Sequence, residues 1–275
     1  MTNKNVLAVH DISCVGRCSL TVALPIMSAY GVETRLLPTA LLSTHTGGFT
    51  GFTYLDLTDE MKNILKAWEP LELDFNAIYS GFMASAEQID LLREIASIYK
   101  KANNLVVIDP VMADNGELYS VFDQAFVEKM KEVIDFADVL MPNITEACFL
   151  TDTPYPEGLQ TEEFVQELIG KLRRQGAKQI VLTGVQYEAG KIGVATSEGE
   201  GDLQTYFAKE IPGHYHGTGD IFGSVLTAEL VNGKSLEASA ESAVDFVLAS
   251  IEATPEEADK KYGVDFEQVL AARGK

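Results

Sequence analysis

The chain has 275 residues, 46% of them hydrophobic, and a formal net charge of −20 at pH 7. An excess of acidic side chains this large repels phosphate backbones, so it argues against nucleic acids and anionic membranes as partners. No stretch approaches the ~20 consecutive apolar residues of a membrane span, and the first residues lack the apolar core of a signal peptide. We therefore expect a cytoplasmic protein that folds as a single domain over residues 1–275.

Short apolar runs bounded by polar or turn residues predict six strands. These cover residues 6–9, 34–37, 77–79, 105–108, 139–141 and 179–182. Segments with apolar residues at three- and four-residue intervals predict the helices. These cover residues 19–30, 57–68, 85–101, 124–136, 161–174, 236–251 and 264–272, with one more helix after residue 220.

Strands that alternate with helices are typical of βαβ units. The pattern therefore predicts an α/β fold with three layers (αβα), in which helices cover both faces of a doubly wound, mostly parallel sheet. Residues 192–196 and 204–207 break the alternation. We expect them to form a small antiparallel pair across the Gly199-Glu200-Gly201 turn.

Two segments match neither a helix nor a strand. Residues 39–51 are rich in hydroxyl side chains and glycine, so we expect an irregular loop that is polar enough to line a pocket. Residues 115–123 form a second predicted loop, which contains Gly116 and Tyr119. Its length suits a flap over a binding site.

A glycine-rich loop immediately precedes the helix that follows residue 220. It reads Gly217-Thr218-Gly219-Asp220, and the first apolar residue of the helix is Ile221. A helix N-terminus binds anions through its unpaired N–H groups and its dipole, and glycine lets the backbone approach such an anion closely. Asp220 is then placed to act as general base for a hydroxyl that attacks a bound phosphate. The loop alone leaves open the alternative that Asp220 only caps the helix.

Polar or small residues follow most of the predicted strands. They are His10 and Asp11, Ser80 and Gly81, Asp109 and Asp114, Asn143 and Glu146, and Thr183 and Gly184. In a doubly wound sheet, ligands bind outside the carboxyl ends of the strands. Each group also has a local explanation: a capping box for Asn143-x-x-Glu146, a turn for Asp109-Pro110, and a strand-end hydroxyl for Thr183. One polar site explains the convergence better than separate local causes.

The four histidines are His10, His45, His214 and His216, and all of them lie in predicted loops. Histidines scattered in this way are more often surface or structural residues than catalytic ones. Only His214-x-His216 resembles a pair of metal ligands, and no carboxylate completes it, so we do not predict a histidine metal site.

Two nucleotide-binding motifs are incomplete. The Gly-Lys-Ser sequence at residues 233–235 ends like a P-loop, but Ala228 occupies the place of the first glycine and the run follows a helix. In the glycine-rich loop, Phe222 stands where a dinucleotide-binding fingerprint requires glycine. The sequence therefore disfavours a P-loop NTPase and an NAD(P)-dependent dehydrogenase.

Several segments together resemble the ribokinase-like superfamily. They are Thr46-Gly47-Gly48, Asp109-Pro110-Val111-Met112, Asn143-x-x-Glu146 and Gly217-Thr218-Gly219-Asp220. They occur in the family's order along nearly the whole chain. The segments Ser43-Thr44-His45-Thr46, Ser80-Gly81-Phe82 and residues 109–114 are most similar to the pyridoxal/pyridoxamine (vitamin B6) kinase branch.

The resemblance implies an enzyme that uses ATP to phosphorylate the hydroxymethyl group of pyridoxal, pyridoxine or pyridoxamine. It implies that Asp220 is the general base and that Gly217, Thr218 and Gly219 supply an anion hole. The implied ATP-binding residues are Asp109, Asp114, Asn143, Glu146, Thr183 and Gly184. Asp109 and Glu146 would also hold Mg²⁺, partly through water.

On the vitamer side, the resemblance implies a set of binding residues that includes Tyr119 of the flap. The set is Asp11, Ser13, His45, Thr46, Phe82 and Tyr119. By the same similarity we expect a monovalent cation such as K⁺ and a homodimer.

The chain departs from the B6 kinase pattern at two positions. His10-Asp11-Ile12 replaces the usual Gln-Ser-His after the first strand, and Phe82 replaces a tyrosine. Both changes lie on the vitamer side, so the preferred vitamer stays open.

Three other functions stay open on the sequence alone. A hydroxymethylpyrimidine kinase of thiamine synthesis shares the fold, although a cysteine often replaces the loop aspartate in that family. Sugar and nucleoside kinases generally carry an inserted lid, for which this chain has little room. A non-catalytic carrier of a vitamer or nucleotide is disfavoured by Asp220.

Overall fold

The structure, a computed structural model, describes residues 4–199 and 201–273. Its strands are β1 (Asn5–Ser13), β2 (Glu33–Leu42), β3 (Tyr54–Asp56), β4 (Ala77–Ser80), β5 (Leu105–Ile108), β6 (Ala113–Asp114), β7 (Glu117–Leu118), β8 (Val139–Leu140), β9 (Gln179–Val185), β10 (Lys191–Glu198) and β11 (Gln204–Lys209). Its α-helices are α1 (Leu20–Ala29), α2 (Thr58–Trp68), α3 (Ala86–Tyr99), α4 (Gln124–Met130), α5 (Ile144–Leu150), α6 (Glu162–Arg174), α7 (Thr218–Val231), α8 (Leu236–Ala253) and α9 (Phe266–Arg273). Short 3-10 helices cover Glu69–Leu71, Lys131–Asp135 and Lys260–Tyr262.

Within the described residues, nine strands form one sheet in the order β11-β10-β9-β8-β5-β4-β1-β2-β3. The strands from β2 to β9 in this order run parallel to their neighbours. Only the edges are antiparallel: β3 pairs with β2, and β10 lies between β9 and β11. The predicted mostly parallel sheet and its antiparallel pair are confirmed.

Helices cover both faces of the sheet, because side chains of the central strands alternate between two apolar cores. In β1, Leu7 and Val9 join the core under α2 to α6, whereas Val6 joins the core under α1, α7, α8 and α9. The predicted three-layer αβα arrangement is confirmed. No helix in the described part of the chain is long and apolar enough to cross a bilayer.

The loop predicted over residues 39–51 is wrong in its first part. Residues 39–42 continue β2, because Leu41 and Leu42 pair with both β1 and the edge strand β3, and Ala40 pairs with β3. The sequence did not predict β3, whose three side chains are all exposed and therefore carry no apolar pattern.

Several other elements differ from their predicted bounds. β1 continues past Val9 to Ser13, so His10 and Asp11 lie inside the strand, and the prediction that His10 lies in a loop is wrong. The helix predicted over residues 124–136 ends at Met130 and continues as a 3-10 helix. β9 runs three residues farther than predicted, so Thr183 and Gly184 lie inside the strand. Helix α5 was predicted only as a capping pattern. In the predicted turn at residues 199–201, Glu200 lies outside the described residues.

Candidate active site

A cavity of about 1080 Å³ opens at the carboxyl ends of the parallel strands, where the predicted site residues converge. Every residue that the resemblance implies for catalysis or ligand binding lines it: Asp11, Ser13, His45, Thr46, Phe82, Asp109, Asp114, Tyr119, Asn143, Glu146, Thr183, Gly184, Gly217, Thr218, Gly219 and Asp220. His10, Ser80 and Gly81, which were also expected at this site because they follow predicted strands, do not line it. The fold therefore brings together residues that are more than 200 positions apart in the chain.

Helix α7 starts at the wall of this cavity. Gly217 is its N-cap, with a φ of 78° that favours glycine. A Cβ atom on Gly217 would lie 1.9 Å from the carbonyl oxygen of Arg17, so no other residue fits. No described side chain caps this helix end, which leaves the first N–H groups available to a ligand. Asp220 is the third residue of the helix, and the alternative that it is the cap is wrong.

The Asp220 carboxyl lies mostly buried at the start of α7, with 17% of its side chain exposed. Burial raises its pKa to about 7, and the nearby charge of Asp11 acts in the same direction. The backbone N–H of Ser19 opposes both by stabilising the ionised form. A carboxylate with a pKa near neutrality suits a general base at physiological pH.

Asn143 and Glu146 form a capping box at the start of α5. The Asn143 side chain accepts a hydrogen bond from the Glu146 N–H (2.8 Å), and Glu146 Oε2 accepts one from the Asn143 N–H (2.9 Å). The second Glu146 oxygen accepts the N–H of Met112 (3.1 Å), and Asn143 Nδ2 donates to the carbonyl of Ala113 (2.9 Å). The capping box is confirmed, and it also ties α5 to the segment after β5.

Buried carboxyl groups face each other across this part of the cavity. Burial raises the pKa of Glu146 to about 8. The pKa of Asp109 is raised well above its ordinary value by burial and by the charges of Glu146 and Asp220. Within the described residues, no group of three or more His, Cys, Asp or Glu side chains is arranged to hold a metal ion by itself. A cation here would need ligands from water or from a bound molecule.

The first part of the predicted flap, residues 115–118, belongs to a short β-hairpin made of β6 and β7, and Tyr119 follows directly after this hairpin. Its turn is Asn115-Gly116, and both residues have positive φ (52° and 81°), which is the signature of a tight type I′ turn. The Gly116 N–H donates to Thr145 Oγ1 on α5 (3.0 Å), and the Tyr119 N–H donates to the carbonyl of Met112 (2.9 Å). The hairpin is therefore anchored while Tyr119 faces the cavity.

Asp11 holds two serine side chains at the cavity wall. Its carboxylate accepts hydrogen bonds from Ser13 Oγ (2.9 Å) and Ser19 Oγ (2.5 Å). Ser19 has a positive φ of 51°, an uncommon conformation for a residue other than glycine. Asp11 thus holds Ser19 in place, and the backbone N–H of Ser19 faces Asp220.

The loop that carries His45 and Thr46 packs against the 3-10 helix Lys260–Tyr262. His45 Nε2 lies 2.6 Å from the carbonyl oxygen of Lys261. The ring of His216 lies 4.9 Å from that of His45 and 4.6 Å from that of His214, between ring centres. Three of the four histidines therefore pack together at one side of the cavity.

Sequence reasoning missed an apolar wall of the cavity. The wall consists of Ile192, Ile211, Val244, Val247, Leu248 and Ile251. The last four recur at helical spacing along α8, which indicated one apolar face without indicating a pocket. Lys209, at the end of β11, was also missed. Among the described residues that line the cavity it is the only lysine or arginine.

The raised pKa of Asp220 predicts a pH-dependent effect on stability. Its pKa is about 7 in the folded chain and 3.8 as the ordinary value, so its contribution to stability is complete below about pH 4 and is lost as the pH rises through about 7. Asp220→Asn should therefore melt several degrees above the wild type at pH 8, and this gain should shrink toward pH 5. Thermal unfolding of both proteins across this range measures it.

The control for this experiment is Asp59→Asn, because the Asp59 side chain is 97% exposed. It should show no gain that varies with pH. A gain for Asp220→Asn that is equal at pH 5 and pH 8 would contradict the raised pKa.

Comparisons with known proteins agree with this geometry. A family model described as phosphomethylpyrimidine kinase matches residues 24–265. A solved structure from Bacteroides thetaiotaomicron, assigned as a phosphomethylpyrimidine kinase and determined with pyridoxal, is 39% identical with a TM-score of 0.94, over 100% of this chain and 96% of that chain. Pyridoxal kinase from Lactobacillus plantarum is 32% identical with a TM-score of 0.89, over 98% and 96%. A hydroxymethylpyrimidine/phosphomethylpyrimidine kinase of Haemophilus influenzae is 27% identical over 90% of this chain and 91% of its own.

The three-layer fold and the glycine-rich start of α7 define a kinase of the ribokinase-like superfamily. The chain belongs to the phosphomethylpyrimidine kinase family, whose model covers most of its length. The predicted resemblance to the pyridoxal kinases of this superfamily is confirmed by the relatives described above.

Proposed function

We propose that this protein transfers the terminal phosphoryl group of ATP to the hydroxymethyl group of a vitamin B6 vitamer: pyridoxal, pyridoxine or pyridoxamine. The observation that carries the proposal is the placement of Asp220. Its buried carboxyl, with a pKa of about 7, stands at the uncapped start of α7 in a cavity that also holds the B6-type segments. The relative of 39% identity that was determined with pyridoxal supports the choice of substrate.

In the proposed reaction, Asp220 takes the proton of the vitamer's hydroxymethyl group as its oxygen attacks phosphorus. The N–H groups of Gly217, Thr218 and Gly219 stabilise the charge on the transferred phosphoryl oxygens. Asp220, Thr218 and Gly219 belong to the first turn of α7, and Gly217 is the N-cap of this helix. A rigid helix start therefore fixes the base relative to the anion hole.

The carboxyl groups beside the phosphate site suit Mg²⁺. Burial raises the pKa values of Asp109 and Glu146, and the charge of Glu146 adds to the effect at Asp109 while that of Asp114 adds to the effect at Glu146. A nearby cation would therefore relieve an unfavourable concentration of negative charge. Asp109 and Glu146 would hold the ion, partly through water, with Asp114, Asn143, Thr183 and Gly184 placed along the ATP phosphates. Bound Mg²⁺ would neutralise charge on the phosphates.

The vitamer would occupy the part of the cavity lined by the B6-type segments. His45, Thr46 and Phe82 would contact the pyridine ring, and Tyr119, directly after the hairpin, would cover it. Asp11 and Ser13 would contribute a carboxylate and a hydroxyl that are already held in place by hydrogen bonds. Because Phe82 cannot donate a hydrogen bond, ring recognition on that side would rest on packing.

A second candidate is a hydroxymethylpyrimidine kinase. Two observations favour it: the description of the family model and the similarity to the Haemophilus influenzae enzyme. The decisive experiment measures ADP release with Mg-ATP and checks the mass of the product. Pyridoxal, pyridoxine, pyridoxamine and hydroxymethylpyrimidine are tested separately. Turnover on the pyrimidine alone would replace the B6 proposal, and ligand binding without turnover would favour a non-catalytic carrier.

Lys209 is expected to contact the nucleotide. Lys209→Ala should raise the KM for Mg-ATP about fivefold, since a partly exposed charge contact contributes ~1 kcal/mol, and should leave kcat nearly unchanged. The control is Lys191→Ala. Lys191 pairs with Lys209 on the neighbouring strand and does not line the cavity. Equal KM values for both variants would argue against a nucleotide contact at Lys209.

A monovalent cation such as K⁺, the homodimer, the cytoplasmic location and the single domain stay predictions.

A further inference from the structure

His10 lies on β1 directly behind the cavity and does not line it. The residue is completely buried. Among the described residues, neither of its ring nitrogens has a partner at full hydrogen-bond geometry, and the Tyr79 backbone, which favours the protonated ring, does not meet that geometry. A buried N–H group without a partner costs ~1–3 kcal/mol, so an imidazole in this position calls for a function that offsets the cost.

The space around His10 is shaped for an imidazole. A Cβ atom on Gly81 would lie 2.4 Å from His10 Nδ1, so only glycine leaves room for the ring. The Tyr79 ring meets the imidazole edge-on, with 4.4 Å between ring centres. These contacts fix the plane of the imidazole and the direction in which Nδ1 points.

His10 Nδ1 points toward Asp220, with 3.9 Å between Nδ1 and Oδ1. This distance is longer than a hydrogen bond, so a hydrogen bond between the two groups requires the carboxyl group to move toward the ring. The imidazole is neutral, because burial lowers its pKa to about 3 against a smaller opposing effect of the Tyr79 backbone. A neutral imidazole carries one N–H donor.

We infer that His10 is a positioning residue for Asp220. Its Nδ1–H donates to the Asp220 carboxylate when that group ionises, and it holds the carboxylate in the orientation that faces the cavity. This inference rests on the proposed role of Asp220 as general base. It assigns a use to a buried histidine that touches neither substrate in the proposed reaction.

The other groups around Asp220 set the background for this interaction. The titratable groups that face it are Asp11, Cys18, Tyr79, Asp109 and Tyr119. Negative charge on any of them opposes ionisation of Asp220. The Ser19 N–H and, by this inference, the His10 N–H favour the ionised form. Removing the His10 donor should therefore make Asp220 harder to ionise.

The test compares two variants of nearly the same shape. His10→Asn keeps an N–H donor at the position of Nδ1, and His10→Leu removes it. Each protein is labelled with ¹³C at the aspartate carboxyl carbons, and the NMR signal that disappears in Asp220→Asn identifies Asp220. We expect the titration midpoint of Asp220 to rise by about one pH unit in His10→Leu and to return close to the wild-type value in His10→Asn.

Turnover provides the second readout. Near pH 7, His10→Leu should lower kcat about tenfold, with the KM for Mg-ATP unchanged, and His10→Asn should recover most of the rate. If His10→Leu does not fold, His10→Gln takes its place, because its amide nitrogen lies at the position of Nε2 and leaves Nδ1 unreplaced.

An unchanged midpoint in a folded donor-free variant would overturn the inference, whatever the turnover. If the midpoint shifts as expected but the wild type phosphorylates neither a vitamer nor the pyrimidine, the contact between His10 and Asp220 stands and the proposed function fails. The two failures are therefore distinguishable.

Discussion

Asp220→Asn is expected to reduce turnover by ~10²–10⁴-fold, the loss typical of removing a general base. Asparagine has nearly the same shape as aspartate but cannot take the proton of the attacking hydroxyl. Because the N–H groups at the start of α7 are unaffected, binding of Mg-ATP should stay within about twofold of the wild type. Single-turnover kinetics measure the first effect and calorimetric titration measures the second.

The matched control is Asp123→Asn. Asp123 caps α4 outside the cavity by accepting the N–H of Phe126 (3.0 Å), and asparagine caps a helix equally well. This variant should retain full activity. Near-normal turnover of Asp220→Asn would reject Asp220 as the base, and a large loss of ATP affinity would indicate a role in binding.

Gly217→Ala should abolish most activity and lower the free energy of unfolding by ~2–4 kcal/mol. The added methyl group would meet the Arg17 carbonyl oxygen at 1.9 Å, and the backbone conformation at this position already disfavours alanine. Relief of the overlap would move the start of α7 and, with it, Asp220. Chemical denaturation and turnover assays measure the two effects.

Gly219→Ala is the control that distinguishes steric overlap with Arg17 from the loss of a glycine as such. A Cβ atom on Gly219 has no neighbour within 4 Å, and alanine is favoured over glycine inside a helix by ~1 kcal/mol. Its stability should equal or exceed that of the wild type. If both variants are equally stable, contact with Arg17 does not constrain the loop.

The sequence predicts the central sheet well, because strands buried on both faces are continuous apolar runs. It predicts the edges poorly. The side chains of residues 54–56 are all exposed, whichever face of the sheet they lie on. Their strand forms only because β2 offers an edge with which to pair. Such strands depend on tertiary pairing, which leaves no periodic pattern in the sequence.

The polar half of the cavity was predictable for a topological reason. Residues at the carboxyl ends of parallel strands meet at one edge of the sheet, so the sequence alone placed Asp109 and Asn143 together. The apolar wall was not predictable in this way. Val244 and Ile251 follow the same helical spacing as core residues, and only the fold shows that their neighbours across the gap are β10 and β11 residues.

His10 illustrates a different limit. Its position after the first strand predicted a site residue, but the structure places it beneath the cavity. Which face a residue takes near the end of β1 depends on local register, and the register shifts between His10 and Ile12. The sequence does not encode that irregularity in a recognisable motif.

The scarcity of basic side chains in the cavity affects how an anionic ligand arrives. A strongly acidic protein surrounds itself with mobile counter-ions, and a polyanion approaching it is slowed by like-charge repulsion over roughly one Debye length, ~8 Å at physiological ionic strength. Moderate salt should thus accelerate encounter, the reverse of electrostatically steered enzymes. A nucleotide already paired with a divalent ion meets a lower barrier than the bare polyphosphate. The charge of the protein therefore favours the metal-bound nucleotide over the free nucleotide already during diffusion to the cavity.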